Sequence, residues 1–275
     1  MMKIKILIVL FSVIVCTTAF SLYAEKTIQG FSTEQAIGAS YDPLGLFLDT
    51  KLSYRTPFVD KKGPLWESTK LELGVQNEWT PADNLLSIRA AFEPIGFFDV
   101  CAKAGYFLMF DGLGYGCFRM ETPDRAYDLR TQKNNKPVAA QGYWLSIAPT
   151  LKAKIGRYIM LNSLTINRIA IDGQNYFLEI RSYLPHRVKD VDLVNNAYML
   201  YECSESVLTG ITMKSEFVCG TSLRSHRLCA MAVIKNKPII LKHSFIAVNA
   251  GFYFLDPLFS RQVFLGCLVG REFGL

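Results

Sequence analysis

The stretch "LFLDTKLSYR", residues 46–55, decides how the fold of this chain is interpreted. Apolar or neutral side chains occupy every second position, namely Leu46, Leu48, Thr50, Leu52 and Tyr54. Between them stand Phe47, Asp49, Lys51, Ser53 and Arg55. A period of two residues predicts a β-strand with one apolar and one charged face. The question that follows is whether the apolar face contacts a protein core or lipid.

The same alternation recurs along the chain. It continues in residues 65–79, 85–93, 97–110, 142–155, 158–171, 176–184, 239–254 and 261–275, and with weaker phase in 193–203, 207–219 and 228–235. Asp172-Gly173 is a typical hairpin signal and predicts that 158–171 pairs with 176–184. No window after residue 24 shows the apolar repeat of a helix. The pattern therefore predicts an all-β, antiparallel protein.

Three polar intervals separate these segments, at 57–65, 120–141 and 184–192. We expect them to be solvated loops. Surface loops on a rigid scaffold can carry receptor or adhesion functions. These three contain no ligand signature, so the sequence assigns them no role.

The N-terminus "MMKIKILIVLFSVIVCTTAFSLYAEKT" has two early lysines, an apolar run and a small residue at Ala24. This order is typical of a secretory signal peptide, and the run is too short for a membrane helix. We predict residues 1–24 as the signal peptide and 25–275 as a single domain; cleavage after Ala19 is a second reading. A lipoprotein processed at Cys16 is a third, against which the bulk of Val15 argues.

Charge and cysteine content limit the partners and cofactors. The formal net charge of +6 is mild, and no basic run or basic-aromatic stripe is present, so nucleic acid is not an expected partner. Six cysteines follow Cys16, without a CxxC pair, and only three histidines occur, so neither a metal site nor a cofactor is predicted. Most of the cysteines are read as unpaired small residues, with Cys219–Cys229 as a candidate disulfide across the segment between them.

Strand length and aromatic position bear on the question of core or lipid. Soluble strands usually have about 5–6 residues, whereas tilted membrane strands need roughly 9–11, as these segments do. Bulky aromatic residues lie near the predicted strand ends, where a bilayer has its headgroups: Tyr54, Trp66, Trp79, Tyr106, Tyr143 and Phe273. Strands can cross a bilayer only as a closed barrel. Both features favour lipid.

The C-terminal stretch "VFLGCLVGREFGL" resembles the terminal strand of bacterial outer-membrane β-barrels. Such strands alternate apolar residues and finish on an aromatic residue that the barrel-assembly machinery reads. Two departures exist, since Arg271 interrupts the apolar series and Phe273 is not the last residue. The resemblance implies a location in the outer membrane, with lipid and the assembly machinery as partners, and does not reach a specific family.

These observations predict a transmembrane antiparallel β-barrel of about 12 strands, within a range of about 10–14 set by the chain length. The alternative is a soluble exported β-sandwich or barrel that binds a ligand. The two differ in the side of the sheet that carries the apolar residues.

In the membrane reading, the charged face lines the lumen. The predicted lumen-lining residues are charged residues on the polar face of the strands. They are Asp49, Lys51, Arg55, Lys70, Glu72, Glu78, Arg89, Glu93, Asp99, Lys103, Lys152, Lys154, Glu179 and Arg181. Both signs are interleaved, which predicts cross-strand ion pairs. We therefore favour a structural charge network slightly over a narrow porin-like conduit.

A third function class is a barrel enzyme acting on lipid. Outer-membrane phospholipases and deacylases use serine and histidine. Ser225-His226 and His243-Ser244 are adjacent pairs whose side chains would point to opposite faces of a strand, and His186 lies in a charged interval where we expect a solvated surface position. No catalytic residues are predicted, and the chain is not expected to be an enzyme.

Overall fold

The fold comes from a computed structural model, which describes residues 29–41, 45–59, 63, 65–112, 116–123, 136–173, 175–179, 181–235, 244–257 and 259–274. The predicted signal peptide, Cys16 and His243 lie outside the described residues. The side chains of residues 272–275, including Phe273, also lie outside the description. In the described part, no helix is long and apolar enough to cross a membrane.

Fifteen strands account for almost all of the regular structure. They are β1 Gly30–Tyr41, β2 Gly45–Pro57, β3 Lys70–Trp79, β4 Asp83–Ile95, β5 Phe98–Met109, β6 Phe118–Met120, β7 Ala140–Ile155, β8 Tyr158–Ile171, β9 Tyr176–Glu179, β10 Leu184–Arg187, β11 Lys189–Ser204, β12 Val207–Val218, β13 Arg224–Lys235, β14 Ser244–Leu255 and β15 Val263–Gly274. Twelve of them close a barrel, in the order β1-β15-β14-β13-β12-β11-β8-β7-β5-β4-β3-β2. Every neighbouring pair is antiparallel, and β1 closes the ring between β15 and β2. The predicted all-β class and the count of twelve barrel strands are confirmed.

The apolar face of the alternating wall strands points outward. Leu46, Leu48 and Leu52 are 41–43 % exposed, whereas Ser53 and Glu72 on the opposite face are 1 % and 3 % exposed. A soluble barrel would bury its apolar face, because burial removes apolar area from water. An outward apolar face on a closed sheet suits a bilayer, where every strand needs two partners. The soluble alternative does not fit this distribution.

Aromatic pairs stand near both ends of the barrel wall. Tyr106 and Tyr143 meet edge to face at 5.8 Å where β5 ends and β7 begins. At the other end, the rings of Tyr158 and Tyr201 lie 5.2 Å apart. Such girdles are typical of the two membrane–water interfaces. Trp66 departs from the prediction, because it lies in a turn before β3 that is closed by backbone bonds from Trp66 to Gly63 and from Thr69 to Trp66.

Strand assignments from the sequence need three corrections. Strand β3 begins at Lys70, not at 65, because residues 65–68 form that turn. Strand β1 was not recognised from the sequence, since its outward positions include Thr33 and Gln35 and its alternation is weak. The interval 184–192 is not a loop, because it contains β10 and the start of β11.

The predicted hairpin at Asp172-Gly173 is wrong. Strand β8 pairs with β7 and β11 and has no free edge for the following segment. Strands β6, β9 and β10 form instead a separate sheet in the order β10-β9-β6. We call this three-stranded unit the inserted sheet. Part of the predicted loop 120–141 also belongs to regular structure, since Val138 bridges Cys117 and β7 begins at Ala140.

The two ends of the barrel differ in their connections. At one end β5 is joined to β7 and β8 to β11 through the segments that hold the inserted sheet; we call this end the mouth. At the other end lie the tight turns 95–98, 155–158 and 204–207 and the longer connections 57–70 and 235–244, and β1 begins and β15 ends there. We call this the terminal end.

Candidate functional site

A five-residue charge network occupies the inner face of β1 to β4 near the terminal end. Glu72 lies at its centre, with its carboxylate 2.8 Å from Arg55 Nε and 3.3 Å from Lys51 Nζ, and in contact with Arg89. Glu34 on β1 pairs with Lys51 and Arg55 in turn. These residues come from alternate positions on adjacent strands, so the register itself brings opposite charges together.

A second chain of ion pairs continues around the wall. Lys152 Nζ lies 2.6 Å from Asp99 and 3.2 Å from Glu93, which also accepts Lys70 at 3.8 Å. Further round, Lys154 and Glu202 are 2.9 Å apart. Interleaved signs on neighbouring strands therefore neutralise one another within the wall.

The remaining part of the interior wall near the terminal end is apolar. Leu208, Val233 and Ala247 form a buried cluster on β12 to β14, against which Leu200 and Phe245 pack. Near the terminal end, the interior is thus charged along β1 to β4 and apolar along β12 to β14. Side chains can fill much of a barrel of this size.

At the mouth, the turn between β9 and β10 reaches the barrel wall through Arg181. Arg181 Nη1 donates to Glu78 Oε2 at 2.7 Å, and Nη2 donates to Asp83. Its guanidinium lies over the rings of Phe107 and Trp144, at 5.4 and 5.7 Å from their centroids. A bidentate guanidinium between two carboxylates and two rings is a strong anchor.

The same turn contacts the opposite wall through Tyr183. Its ring meets Phe259 edge to face at 5.3 Å, within a cluster that includes Tyr253 and Phe264 on β14 and β15. Thr221, in the turn after β12, donates to the carbonyl of Pro185 at 2.9 Å. The β9–β10 turn therefore spans the mouth from the β3–β7 side to the β12–β15 side.

Apolar packing fixes the base of the inserted sheet. Phe177 of β9 and Cys117 next to β6 join a buried cluster with Phe107, Ile169 and Ile171 of the wall. Burial raises the pKa of the Cys117 thiol to about 11. The sheet therefore packs into the mouth through side chains as well as through the Arg181 contacts.

Two titratable groups are fully buried within the inserted sheet. Glu179 is shielded from solvent and accepts a hydrogen bond from the backbone N–H of Ser182 at 2.6 Å. Burial raises the pKa of its carboxyl group. His186 donates from Nδ1 to the carbonyl of Leu184, with Nε2 3.7 Å from Asp192. Burial alone would lower the pKa of His186, but Asp192 and Glu179 together raise it. The solvated position expected for His186 is therefore wrong.

A cavity of about 690 Å³ remains between the β9–β10 turn and the barrel wall. Charged residues line two of its sides. Asp49, Glu78 and Asp83 lie on one side together with Arg181, which pairs with Glu78 and Asp83, and Lys214 and Arg227 lie on the other. A smaller cavity of about 300 Å³ lies along the inner faces of β5, β7 and β8. Glu78 lines both cavities.

Twelve of the predicted lumen residues lie on wall strands, in the ion pairs described above or, for Asp49, hydrogen-bonded to Gln76 at 2.9 Å. Lys103 joins Glu78 at 2.9 Å. Glu179 and Arg181 do not lie on the wall, because both belong to the inserted sheet and its turn. The sequence prediction also missed charged residues. Glu34, Glu202, Lys214, Glu216 and Arg227 lie on strands whose alternation is weak, and Asp83 is the first residue of β4, before the alternation of that strand begins.

The candidate Cys219–Cys229 disulfide is not formed, and both thiols are free. Cys219 is exposed in the turn after β12, whereas Cys229 is buried on β13 opposite Thr212. Strand β13 begins at Arg224, which lies opposite Phe217 and so close to the turn that holds Cys219. Cys229 lies five positions further along β13, roughly 17 Å from Arg224 at the rise of a strand. That separation greatly exceeds the reach of a disulfide.

The adjacent residues Ser225 and His226 lie on opposite faces of β13. Ser225 faces the cavity, and His226 points outward and stacks on Phe254 at 5.5 Å, so this adjacent pair is divided between the two faces. Among the described residues, no group of three or more histidine, cysteine or acidic side chains could hold a metal ion.

Comparisons with known proteins give distant likenesses. No protein-family model matches the chain, and no curated protein matches it. Among solved structures, the NanC porin has 7 % identity and a TM-score of 0.44, over 88 % of this chain and all of that one. The β domain of the Bordetella autotransporter BrkA has 9 % identity and a TM-score of 0.47, over 90 % of this chain and all of that one. OmpT, an outer membrane protein of Vibrio cholerae, has 6 % identity and a TM-score of 0.41, over 91 % of this chain and all of that one.

The architecture is assigned on the strand register and on the placement of the side chains. A closed antiparallel ring of twelve strands has an outward apolar face, aromatic girdles and a charged interior. The chain is a β-barrel of the bacterial outer-membrane type.

Proposed function

We propose that this protein is a structural outer-membrane barrel of very low conductance, whose mouth is closed by the inserted sheet. The observation that carries the proposal is the span of the β9–β10 turn. Arg181 holds Glu78 and Asp83 on one side of the mouth, and Tyr183 packs on Phe259, in the connection between β14 and β15, on the other. A turn that crosses the mouth in this way leaves little continuous space for solutes to pass.

The charge networks support the same function. Their carboxylates and cations bind one another along the wall, from Glu34 to Glu72 and from Glu93 to Lys152. Paired charges stiffen the wall and offer a passing ion few free groups. We infer that residues 1–24 direct export as a signal peptide, and that the assembly machinery engages β15 during insertion.

Planar-bilayer conductance of the purified barrel tests the proposal. The wild type is expected to give rare, small current steps. Arg181→Ala removes the anchor of the turn and is expected to raise the mean conductance several-fold. Arg187→Ala is the matched control, because Arg187 is an exposed arginine of the same hairpin that stacks on Tyr176 at 6.0 Å. Arg187→Ala should behave like the wild type.

Two results would overturn the proposal. One is a wild-type barrel that stays open with a large, steady current. The other is an Arg181→Ala variant that shows the folded gel mobility of the wild type yet has the same conductance.

A further inference from the structure

The 690 Å³ cavity at the mouth has walls of opposite charge. It lies between the turn Arg181–Tyr183 and the inner faces of β12 to β15, and extends to the mouth ends of β1, β2 and β3. Its lining includes the ion pairs of Arg181 with Glu78 and Asp83, but Asp49 and Arg227 have no ion-pair partner among the described residues and need their own explanation.

The cationic wall has more cations than anions. Lys214 and Arg227 stand directly opposite each other on β12 and β13. Like charges in that position repel. Lys214 is paired with Glu216 at 2.8 Å. Among the described residues, no carboxylate lies within 4 Å of Arg227, whose Nη1 donates only to the hydroxyl of Tyr253 at 3.3 Å. The arrangement therefore carries an unneutralised positive charge.

The position of Arg227 is fixed by aromatic rings and not by an acid. Its guanidinium carbon lies 3.6 Å from the centroid of Phe264 and 5.6 Å from that of Tyr253. A cation held on rings keeps its remaining N–H groups available for an anion.

The facing wall contains Asp49, Glu78 and Asp83, and Arg181 pairs with the last two of these. Asp49 accepts both of its described bonds from the amide of Gln76 and has no cation within ion-pairing distance among the described residues. Asp83 is fully buried, and one of its carboxylate oxygens has no hydrogen-bond partner in the described structure. Unsatisfied buried acceptors are costly and uncommon in proteins.

We propose that this cavity binds a small zwitterionic solute that carries an apolar ring. The carboxylate of the solute binds Arg227 and Lys214, its ammonium group binds Asp49, and the ring packs between Phe47 and Phe264. Of the charged residues that line the cavity, Asp49 and Arg227 are the two without an ion-pair partner among the described residues, and the ammonium and carboxylate groups of the solute would complete them. A cavity of this volume accommodates a solute of that size.

Isothermal titration of the folded barrel in detergent tests the inference with three probes that share one ring. These are L-phenylalanine, 3-phenylpropionate, which lacks the ammonium group, and 2-phenylethylamine, which lacks the carboxylate. L-Phenylalanine is expected to bind with saturation and about tenfold more tightly than either of the others. Binding in detergent needs no conduction, so this test and the conductance test fail independently.

Variants separate the two walls. Arg227→Gln should weaken phenylalanine binding about tenfold, whereas Arg224→Gln should leave it unchanged, because Arg224 is exposed over Phe217 at the start of the same strand. Asp49→Asn should weaken the binding of phenylalanine and spare that of phenylpropionate. Folding of each variant is checked by its gel mobility before and after boiling.

The inference is overturned if no probe binds the folded wild type with saturation. It is also overturned if phenylpropionate binds as tightly as phenylalanine, or if folded Arg227→Gln and Asp49→Asn both bind phenylalanine like the wild type.

Discussion

At the scale of single residues, Glu72 shows how the barrel tolerates charge in its interior. One carboxylate, only 3 % exposed, serves Lys51, Arg55 and Arg89. Removing one member of a buried network leaves its partners without compensation, and this costs more than the network itself contributes. The free energy of the fold is therefore sensitive to this one position.

We expect Glu72→Gln to lower the free energy of unfolding by about 2 kcal/mol. The three cations would then repel one another, although the solvent that reaches them reduces this repulsion. Urea unfolding of the barrel in lipid vesicles measures the change. Glu205→Gln, in the exposed turn between β11 and β12, is the control and should shift stability by less than about 0.5 kcal/mol. A loss in Glu72→Gln as small as that of the control would contradict the prediction.

His186 and Glu179 predict how the inserted sheet responds to pH. Both pKa values are raised, so each group binds its proton more tightly in the docked sheet than when released. The resulting stabilisation is complete below the ordinary pKa of each group and is lost as the pH rises through the raised value. For His186 the loss begins above about pH 6.5.

Conductance should therefore increase from pH 6 to pH 9 as the inserted sheet loosens, in the same direction as in the Arg181→Ala variant. The charged groups that face these residues are Asp192 of β11, Asp83 of β4 and Arg181 of the turn. His186→Gln is expected to flatten the profile. A wild type that opens at acid pH, or a folded His186→Gln barrel with the full pH response, would argue against it.

At the scale of elements, pairing depends on a close approach of β7 and β8 at Gly142. A Cβ at this position would lie 2.0 Å from the carbonyl oxygen of Ala170, which is backbone and cannot move aside. Gly142→Ala should therefore destabilise the barrel by about 2 kcal/mol through overpacking. The temperature at which the folded gel band disappears reports the loss. Gly112→Ala, where nothing lies within 4 Å, is the control and should retain the wild-type temperature.

The sequence predicts wall strands well and the inserted sheet poorly, for a physical reason. Alternation in 46–55 or 142–155 records which face of a strand meets lipid, and this is a local property. It does not record the partner of a strand. The segment Tyr176–Glu179 has a hairpin signal before it, yet β8 is already paired on both edges, so β9 packs into the mouth.

The candidate site shows the same limit. The charged positions on β2 to β5 and β7 follow from alternation, because each is next in sequence to a residue that faces outward. The contact of Arg181 with Glu78 does not follow from alternation, because the two residues are 103 positions apart and meet only after the barrel has closed. Lys214 and Arg227 lie on strands where alternation is weak, so sequence periodicity gave no warning of the cationic wall.

At the scale of the whole molecule, the two ends of the barrel predict its orientation. Outer-membrane barrels have short turns on the periplasmic side and longer connections outside. The mouth should therefore face the exterior. Cys219 lies in a mouth turn, and Cys203 lies at the other end of β11, both exposed.

A membrane-impermeant maleimide applied to intact cells tests the orientation in variants that keep one cysteine each. Cys219 should be labelled and Cys203 should not. Burial and the nearby Asp190 and Asp192 raise the pKa of Cys219, so the labelling is carried out at about pH 8.5. Lysed cells provide the control, in which both cysteines should react. Labelling of Cys203 alone in intact cells would reverse the orientation.

The central claim is that the alternating strands form a closed barrel with its apolar face in lipid. Gel mobility of the membrane fraction, unboiled against boiled and after expression with the native N-terminus, tests it most directly. The account predicts a band that partitions with outer membranes and changes mobility on boiling. A soluble band whose mobility is the same with and without boiling would contradict it, because the outward leucines would then have to form a core.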